Sequence, residues 1–159
     1  MKLAEALARR HDLMTEIEQL QDVMQGSARW QEGSEPADNA TEILDAIIAL
    51  RQEAGSLIVR INLTNVRTVV PDSADTIMML LAKRDATQEM VKYCQSLLTA
   101  AGAGRRGALF RQLRTELPDV TNVDVLAIRD RMRGYAAAAR GIDSTIQKLN
   151  WETDLLTEA

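Results

Sequence analysis

The chain reads as an all-α protein: two antiparallel helical hairpins, related by an internal repeat, that form a long four-helix bundle or coiled coil. Three observations predict this. Apolar residues recur at intervals of three and four along four stretches, each long enough for roughly 36 Å of helix. The composition is 46% hydrophobic but only 3% aromatic, so the apolar content is Leu, Ile, Val, Ala and Met, which favours helices over a strand-rich sandwich. The pattern also occurs twice. A slide of 74 lays Leu3, Leu7, Arg10, Ile17 and Met24 on Ile77, Leu81, Arg84, Val91 and Leu98. A slide of 88 lays Ile58, Ile61 and Asn62 on Ile146, Leu149 and Asn150. The extra length implied by the larger slide is expected between the helices of the second hairpin, with helix lengths kept and one loop enlarged.

The first helix is expected over Lys2 to Gln25, with Leu3, Ile17 and Met24 at one heptad position and Ala6, Leu13 and Leu20 at the other, stopped by Gly26 and Ser27. Ala28 to Asn39 holds Gly33 and Pro36 among polar residues and reads as a loop, with a short extended piece at Ala28 to Gln31. The second helix carries its seam on Ala40, Ile43, Ile47, Leu50, Ala54, Leu57 and Ile61 and ends near Asn62, Thr64 and Asn65. Val69, Val70 and Pro71 cannot continue it. Asp72 or Ser73 is placed to cap the third helix, which is expected to run to about Ala101 and stop at Gly102 and Gly104. A long connection, Gly102 to Asn122, follows. Thr121 and Asp124 have capping-box spacing for the fourth helix, whose seam is Val125, Ile128, Met132, Tyr135, Ala139, Ile142, Ile146 and Leu149. The whole is one domain of 159 residues: hairpin 1–65, linker 66–72, hairpin 73–159, with a minimal β-hairpin contributed by the two loops.

A net charge of -4 argues against affinity of the whole protein for nucleic acid or an anionic membrane. Cys94, the single cysteine, falls on the stripe between Val91 and Leu98 and reads as a small buried thiol. Met1 to Arg10 lacks the apolar core of a signal peptide, and no run approaches the ~18 apolar residues of a membrane span, so a cytoplasmic protein is expected.

No residue pattern here carries catalytic chemistry. His11 is the only histidine; without a Glu three residues before it or a Cys or His partner, neither a carboxylate-bridged iron site nor a zinc site is expected. No Gly-rich phosphate loop is present, and no cofactor is expected. Arg10 and Arg84 share one otherwise apolar heptad position. An unpaired charge there is costly, so a carboxylate from the antiparallel neighbour should meet each, Glu53 for Arg10 and Asp143 for Arg84. Such pairs set register or partner choice; the alternative is that each arginine snorkels to water beside a narrow seam. Asn62 and Asn150 are expected to serve the unpaired amides at the starts of the first and third helices, with Trp151 covering the same end. Arg105, Arg106, Phe110, Arg111 and Arg114 form the one basic concentration and a candidate contact loop.

Several strings together resemble a family of small bacterial proteins of unknown function sometimes labelled septicolysin: Met1-Lys-Leu-Ala-Glu-Ala-Leu7, Gln31-Glu-Gly-Ser-Glu-Pro36, Arg60-Ile-Asn-Leu-Thr-Asn65, Val123-Asp-Val125 and Ile146-Gln-Lys-Leu-Asn-Trp-Glu-Thr-Asp-Leu155. They run in order through nearly the whole chain. The resemblance implies a short strand before Val123, where Pro118 and Asp119 interrupt the family pattern. Thiol-activated cytolysins are large and strand-rich, so the label implies no pore-forming activity for 159 helical residues.

The functional expectation is a non-enzymatic helical protein that self-associates. Leu44, Ile48, Ile58, Met79 and Leu81 are apolar beyond the needs of one hairpin seam, which implies a four-helix core or a homo-oligomer interface. The rival readings are a membrane-active helical protein and weak nucleic-acid binding through residues 105–114.

Overall fold

Among the described residues four helices carry the chain: α1 (Leu3–Ser27), α2 (Ala40–Arg67), α3 (Ile77–Arg111) and α4 (Val125–Glu152). The computed structural model describes residues 1–31, 33, 38–111 and 120–157, with the backbone alone for 103–111. Among the described residues there is no sheet; the fold is all-α. Two compact units are present, one formed by Met1–Met78 with Gln147–Ala159, the other by Met79–Ile146.

In the first unit α1 and α2 pack as an antiparallel pair, burying Leu3, Ala6, Leu13 and Ile17 of α1 and Ile47, Ala54, Leu57 and Ile61 of α2. These are the three-and-four positions of the two seams. Glu5 accepts the backbone N–H of Lys2 at 2.7 Å and so fastens the start of α1. Asn39 caps α2, its Oδ1 accepting from the Thr41 amide at 3.0 Å. In the second unit α3 and α4 run antiparallel. Asp124 rather than Thr121 caps α4: its Oδ1 accepts from the Ala127 amide at 3.0 Å, and its carbonyl from Ile128. The Thr121 hydroxyl instead accepts from Val123 at 3.2 Å, a local turn one step upstream of the helix.

Neither Asp72 nor Ser73 caps α3. Val70, Pro71, Asp72 and Ser73 form a turn closed by the Ser73 amide on the Val70 carbonyl at 3.2 Å, with Pro71 second and Asp72 third at φ +58°. The Ser73 hydroxyl is used on the Asp75 amide. The first amide of α3, Ile77 N–H, donates to the Thr68 carbonyl at 3.1 Å. The start of α1 is closed in the same way, Leu3 N–H donating to the Thr153 carbonyl at 3.0 Å. Isolated β-bridges, Lys2 with Asp154 and Val69 with Thr76, accompany the two closures. The extended pairing expected of the two loops is therefore found at the helix starts instead; Ala28 continues the turn of α1, and 112–119 lies outside the described residues.

These closures correct the repeat. The Leu3–Thr153 and Ile77–Thr68 bonds are related by 74 on the donor side and by 85 (153 less 68) on the acceptor side. The same 85 carries Ala40–Arg67 onto Val125–Glu152, both 28 residues. Buried Ala54, Ile61, Thr64 and Val70 then fall on buried Ala139, Ile146, Leu149 and Leu155. The extra residues lie largely within a helix, since α3 has 35 residues against 25 in α1. α3 passes through Gly102, which does not take the left-handed conformation of a glycine cap; the sole positive-φ glycine described is Gly33. Arg105, Arg106, Ala108 and Leu109 beyond it are good helix formers.

The C-terminal segment is held against α2 by one buried hydroxyl. Thr64, fully buried, donates to the Arg60 carbonyl at 2.8 Å and accepts from the Leu156 amide at 3.1 Å, while Arg60 Nε donates to the Leu156 carbonyl at 2.9 Å. Thr64→Val keeps the shape and strands the Leu156 amide, and is expected to cost ~1–2 kcal/mol in chemical denaturation. Thr87→Val, which removes an exposed hydroxyl bonded only to the Lys83 carbonyl of its own helix, should change stability by less than ~0.5 kcal/mol.

Candidate interaction surfaces

The arginine pairs come out differently in the two repeats. Glu53 is met by Arg9, not by Arg10: Arg9 Nη2 lies 2.8 Å and Nε 3.0 Å from the Glu53 carboxylate. Arg10 is exposed, because its long side chain leaves the seam for water and avoids desolvation that Glu53, itself half-exposed, would not offset. Arg84 is less accessible. Its guanidinium lies 2.8 Å from Asp85 and 3.5 Å from Asp143 across the α3–α4 pair. The hydrogen bond to Asp85, opposed by burial and aided by the charges of both carboxylates, holds the Arg84 guanidinium above its ordinary pKa.

Asn62 is exposed and Asn150 half-buried, and the amides assigned to them are taken by the Thr153 and Thr68 carbonyls. Backbone acceptors reach these amides at the bridges, so no side chain is needed. Trp151 is 66% exposed and does not cover the helix end. In the corrected repeat the partner of Asn150 is Asn65, also half-buried. The side chains of Arg105, Arg106, Phe110 and Arg111, and all of Arg114, lie outside the described residues.

The described residues line open grooves. One, of about 590 Å³, sits where α1 turns into α2 and is lined by Ser27, Trp30, Asp38 and Thr41 among others. Another, of about 420 Å³, runs between α3 and α4 beside Val91, Leu98, Met132 and Ala136. Cys94, Val91 and Leu98 are half-buried rather than buried, since this groove leaves the α3–α4 seam partly open. His11 is exposed, and among the described residues no three His, Cys, Asp or Glu side chains converge as a metal set. No helix among the described residues is long and apolar enough to cross a membrane.

What the surface does carry is apolar. Leu44, Ile48, Val59 and Val66 of α2 are 43–54% exposed. At 100° per residue they and Gly55 fall within about 60° of one another, on a side of the helix well away from its buried seam. On α3, Met79, Met90, Tyr93 and Leu97 are 41–64% exposed and likewise share one stripe. Of the extra positions of the sequence pattern, Leu44, Ile48 and Met79 are exposed, whereas Ile58 and Leu81 are half-buried.

Residues 10–155 match a family described as a family of unknown function, DUF6847. The chain belongs to this family. DUF6847 assigns no activity, and the septicolysin label finds no support in it. A crystal structure of a functionally unknown conserved protein from Corynebacterium diphtheriae is 32% identical, with a TM-score of 0.88, covering 98% of this chain and 99% of that one. No match was found among curated proteins. The DUF6847 chain therefore shares its fold across its length with that neighbour.

Two measurements check the charge pairs. Arg9→Ala should cost ~0.2–1 kcal/mol by removing the Glu53 contact, whereas Arg10→Ala should be neutral within ~0.5 kcal/mol in the same denaturation assay. Lys2 Nζ lies 2.9 Å from Asp154, and this hydrogen bond and charge hold the Asp154 carboxyl below its ordinary range. Its contribution is present above the usual carboxylate pKa and fades as pH falls through the lowered one. An NMR titration of Asp154 should show that lowered midpoint, and Lys2→Met should return it to the ordinary range.

Proposed function

We propose that this DUF6847 protein is a non-enzymatic helical interaction protein that associates with copies of itself through its outer helix faces. The observation that carries this reading is the pair of exposed apolar stripes on α2 and α3, which lie outside the buried seams. Single exposed apolar residues are ordinary, but residues aligned on one face of a helix form a contact strip, and a second copy covers it at the smallest cost in new surface. The chemistry-bearing side chains support the same reading. His11 is solvated, and Arg9, Arg84 and Lys2 are spent on structural ion pairs. A reducing cytoplasmic setting suits the lone half-buried thiol of Cys94.

Sedimentation equilibrium or multi-angle light scattering tests this. The expected result is a particle heavier than the 17.6 kDa chain, with a mass that rises with concentration. A mass of one chain throughout the concentration range would remove the proposal. Dye-loaded anionic liposomes should stay sealed, and a gel shift at two salt concentrations should show no nucleic-acid complex.

A further inference from the structure

Of the two outer stripes, that of α2 carries a feature its own chain does not explain. Gly55 stands near the middle of a 28-residue helix, where glycine is the poorest residue short of proline. A Cβ at Gly55 would meet nothing within 4 Å, and its φ is not positive, so neither packing within the chain nor backbone conformation calls for glycine there. Glycine at an open site on an apolar face is what close approach of another backbone requires. We infer that α2 pairs with the α2 of a second copy, antiparallel, about a twofold axis that passes beside Gly55; this rests on the self-association proposed above.

The spacing of the stripe fits a twofold. Gly55 stands midway in sequence between Leu44 and Val66, between Ile48 and Asn62, and between Arg51 and Val59. An isologous antiparallel pair with Gly55 on its own image therefore sets Leu44 against Val66 at both ends, Ile48 against Asn62 inside them, and Val59 against Arg51, whose guanidinium reaches Met14 Sδ at 3.0 Å, next to the axis. The charges complement in the same direction. Asp45 is near the N-terminal end of α2 and Arg67 at its C-terminal end, both exposed and on the same flank of the stripe. Antiparallel pairing brings each within about two residues, ~3 Å, of the other's height, and opposes the two helix dipoles. Parallel pairing would instead put each charge at the height of its own copy and on the opposite flank, with no such complement. The stripe is one helix wide and roughly 33 Å long, less than the ~800 Å² per partner of a tight complex, so this contact alone makes a weak, concentration-dependent dimer.

The test uses the full chain. Gly55→Leu should raise the thermal midpoint of the dilute protein by about 2–4 °C, because a good helix former replaces glycine at an open site. The same change should weaken dimerisation at least tenfold in sedimentation velocity, since a side chain now fills the crossing. Gly134→Leu on α4, where the added side chain also meets open space, should raise the midpoint without altering dimerisation. In a Cys94→Ala background, Gly55→Cys should give a covalent dimer on mild oxidation, because residues on a twofold axis meet their own copies. Unchanged dimerisation in Gly55→Leu, or a Gly55→Cys chain that stays single on an oxidising gel, overturns the α2 pairing and leaves association through another face. A wild-type chain that is single at every concentration removes both.

Discussion

The free amides at a helix start are the constraint around which this fold is arranged. α1 and α3 begin on Leu3 and Ile77, both fully buried, where water cannot serve the first N–H groups. Each is answered by a carbonyl from the segment that follows α4 or α2: Thr153 for Leu3 and Thr68 for Ile77. A second bond runs back in each case, Leu155 to Met1 and Val70 to Asp75. Residues 1–3 and 153–155 are consequently structural parts of one unit, and the segment after α4 becomes the counterpart of the turn after α2. The repeat extends beyond the helices to the way they are closed, and Thr64 adds the one buried hydroxyl that locks that segment to α2.

Outside the seams the repeat breaks down, and the difference is chemical. Under the offset of 85, the stripe Leu44, Ile48, Gly55, Val59 and Val66 on α2 corresponds to Arg129, Arg133, Arg140, Ser144 and Trp151 on α4. The stripe Met79, Met90, Tyr93 and Leu97 on α3 corresponds on α1 to Glu5, Glu16, Gln19 and Val23. Seam positions answer to packing and so stay apolar in both halves, whereas outer positions answer to solvent or to whatever covers them. The outer faces of α1 and α4 are mainly polar or charged and answer to solvent. Those of α2 and α3 are the surfaces on which the proposed self-association rests.

Periodicity makes the four helices and their seams legible, because burial of an apolar stripe leaves its spacing in the sequence. The offset of the second helices is misread for a related reason. Slides of 85 and 88 differ by nearly one helical turn, so both align apolar residues, and the coincidence of Asn62 with Asn150 favours the wrong one. The same logic gives Glu53 to Arg10, yet a long arginine at the edge of a seam chooses water, and the neighbouring Arg9 makes the contact. Backbone closures at the helix starts leave no residue signature, since any side chain can sit on either carbonyl. The stop expected at Gly102 fails because residue type states what a glycine permits, not the conformation it takes. The extra apolar positions on α2 and α3 are visible as a pattern, but only exposure in the folded chain separates an unused face from a wider core.

Open space alone does not distinguish Gly55, since Gly26, Gly102, Gly134 and Gly141 also lie within helices with nothing near an added Cβ. The difference is in what surrounds each. Gly26 is next to the end of α1, and Gly102 has Ala100, Ala101 and Ala103 beside it. Gly134 and Gly141 have Ala137 and Ala138 between them, so that part of α4 offers little apolar area to any partner whatever the backbone allows. Gly55 lies between Ile48 and Val59, with Leu44 and Val66 beyond them, all exposed. Close approach is useful only where large side chains on either side can then reach across and bury one another, because dispersion and desolvation both grow with the apolar area brought together. A glycine among small residues loosens a helix without return, whereas one at the midpoint of a branched aliphatic stripe lets two backbones come near enough for the aliphatics to meet. Among the helical glycines whose surroundings are described, Gly55 alone combines both conditions.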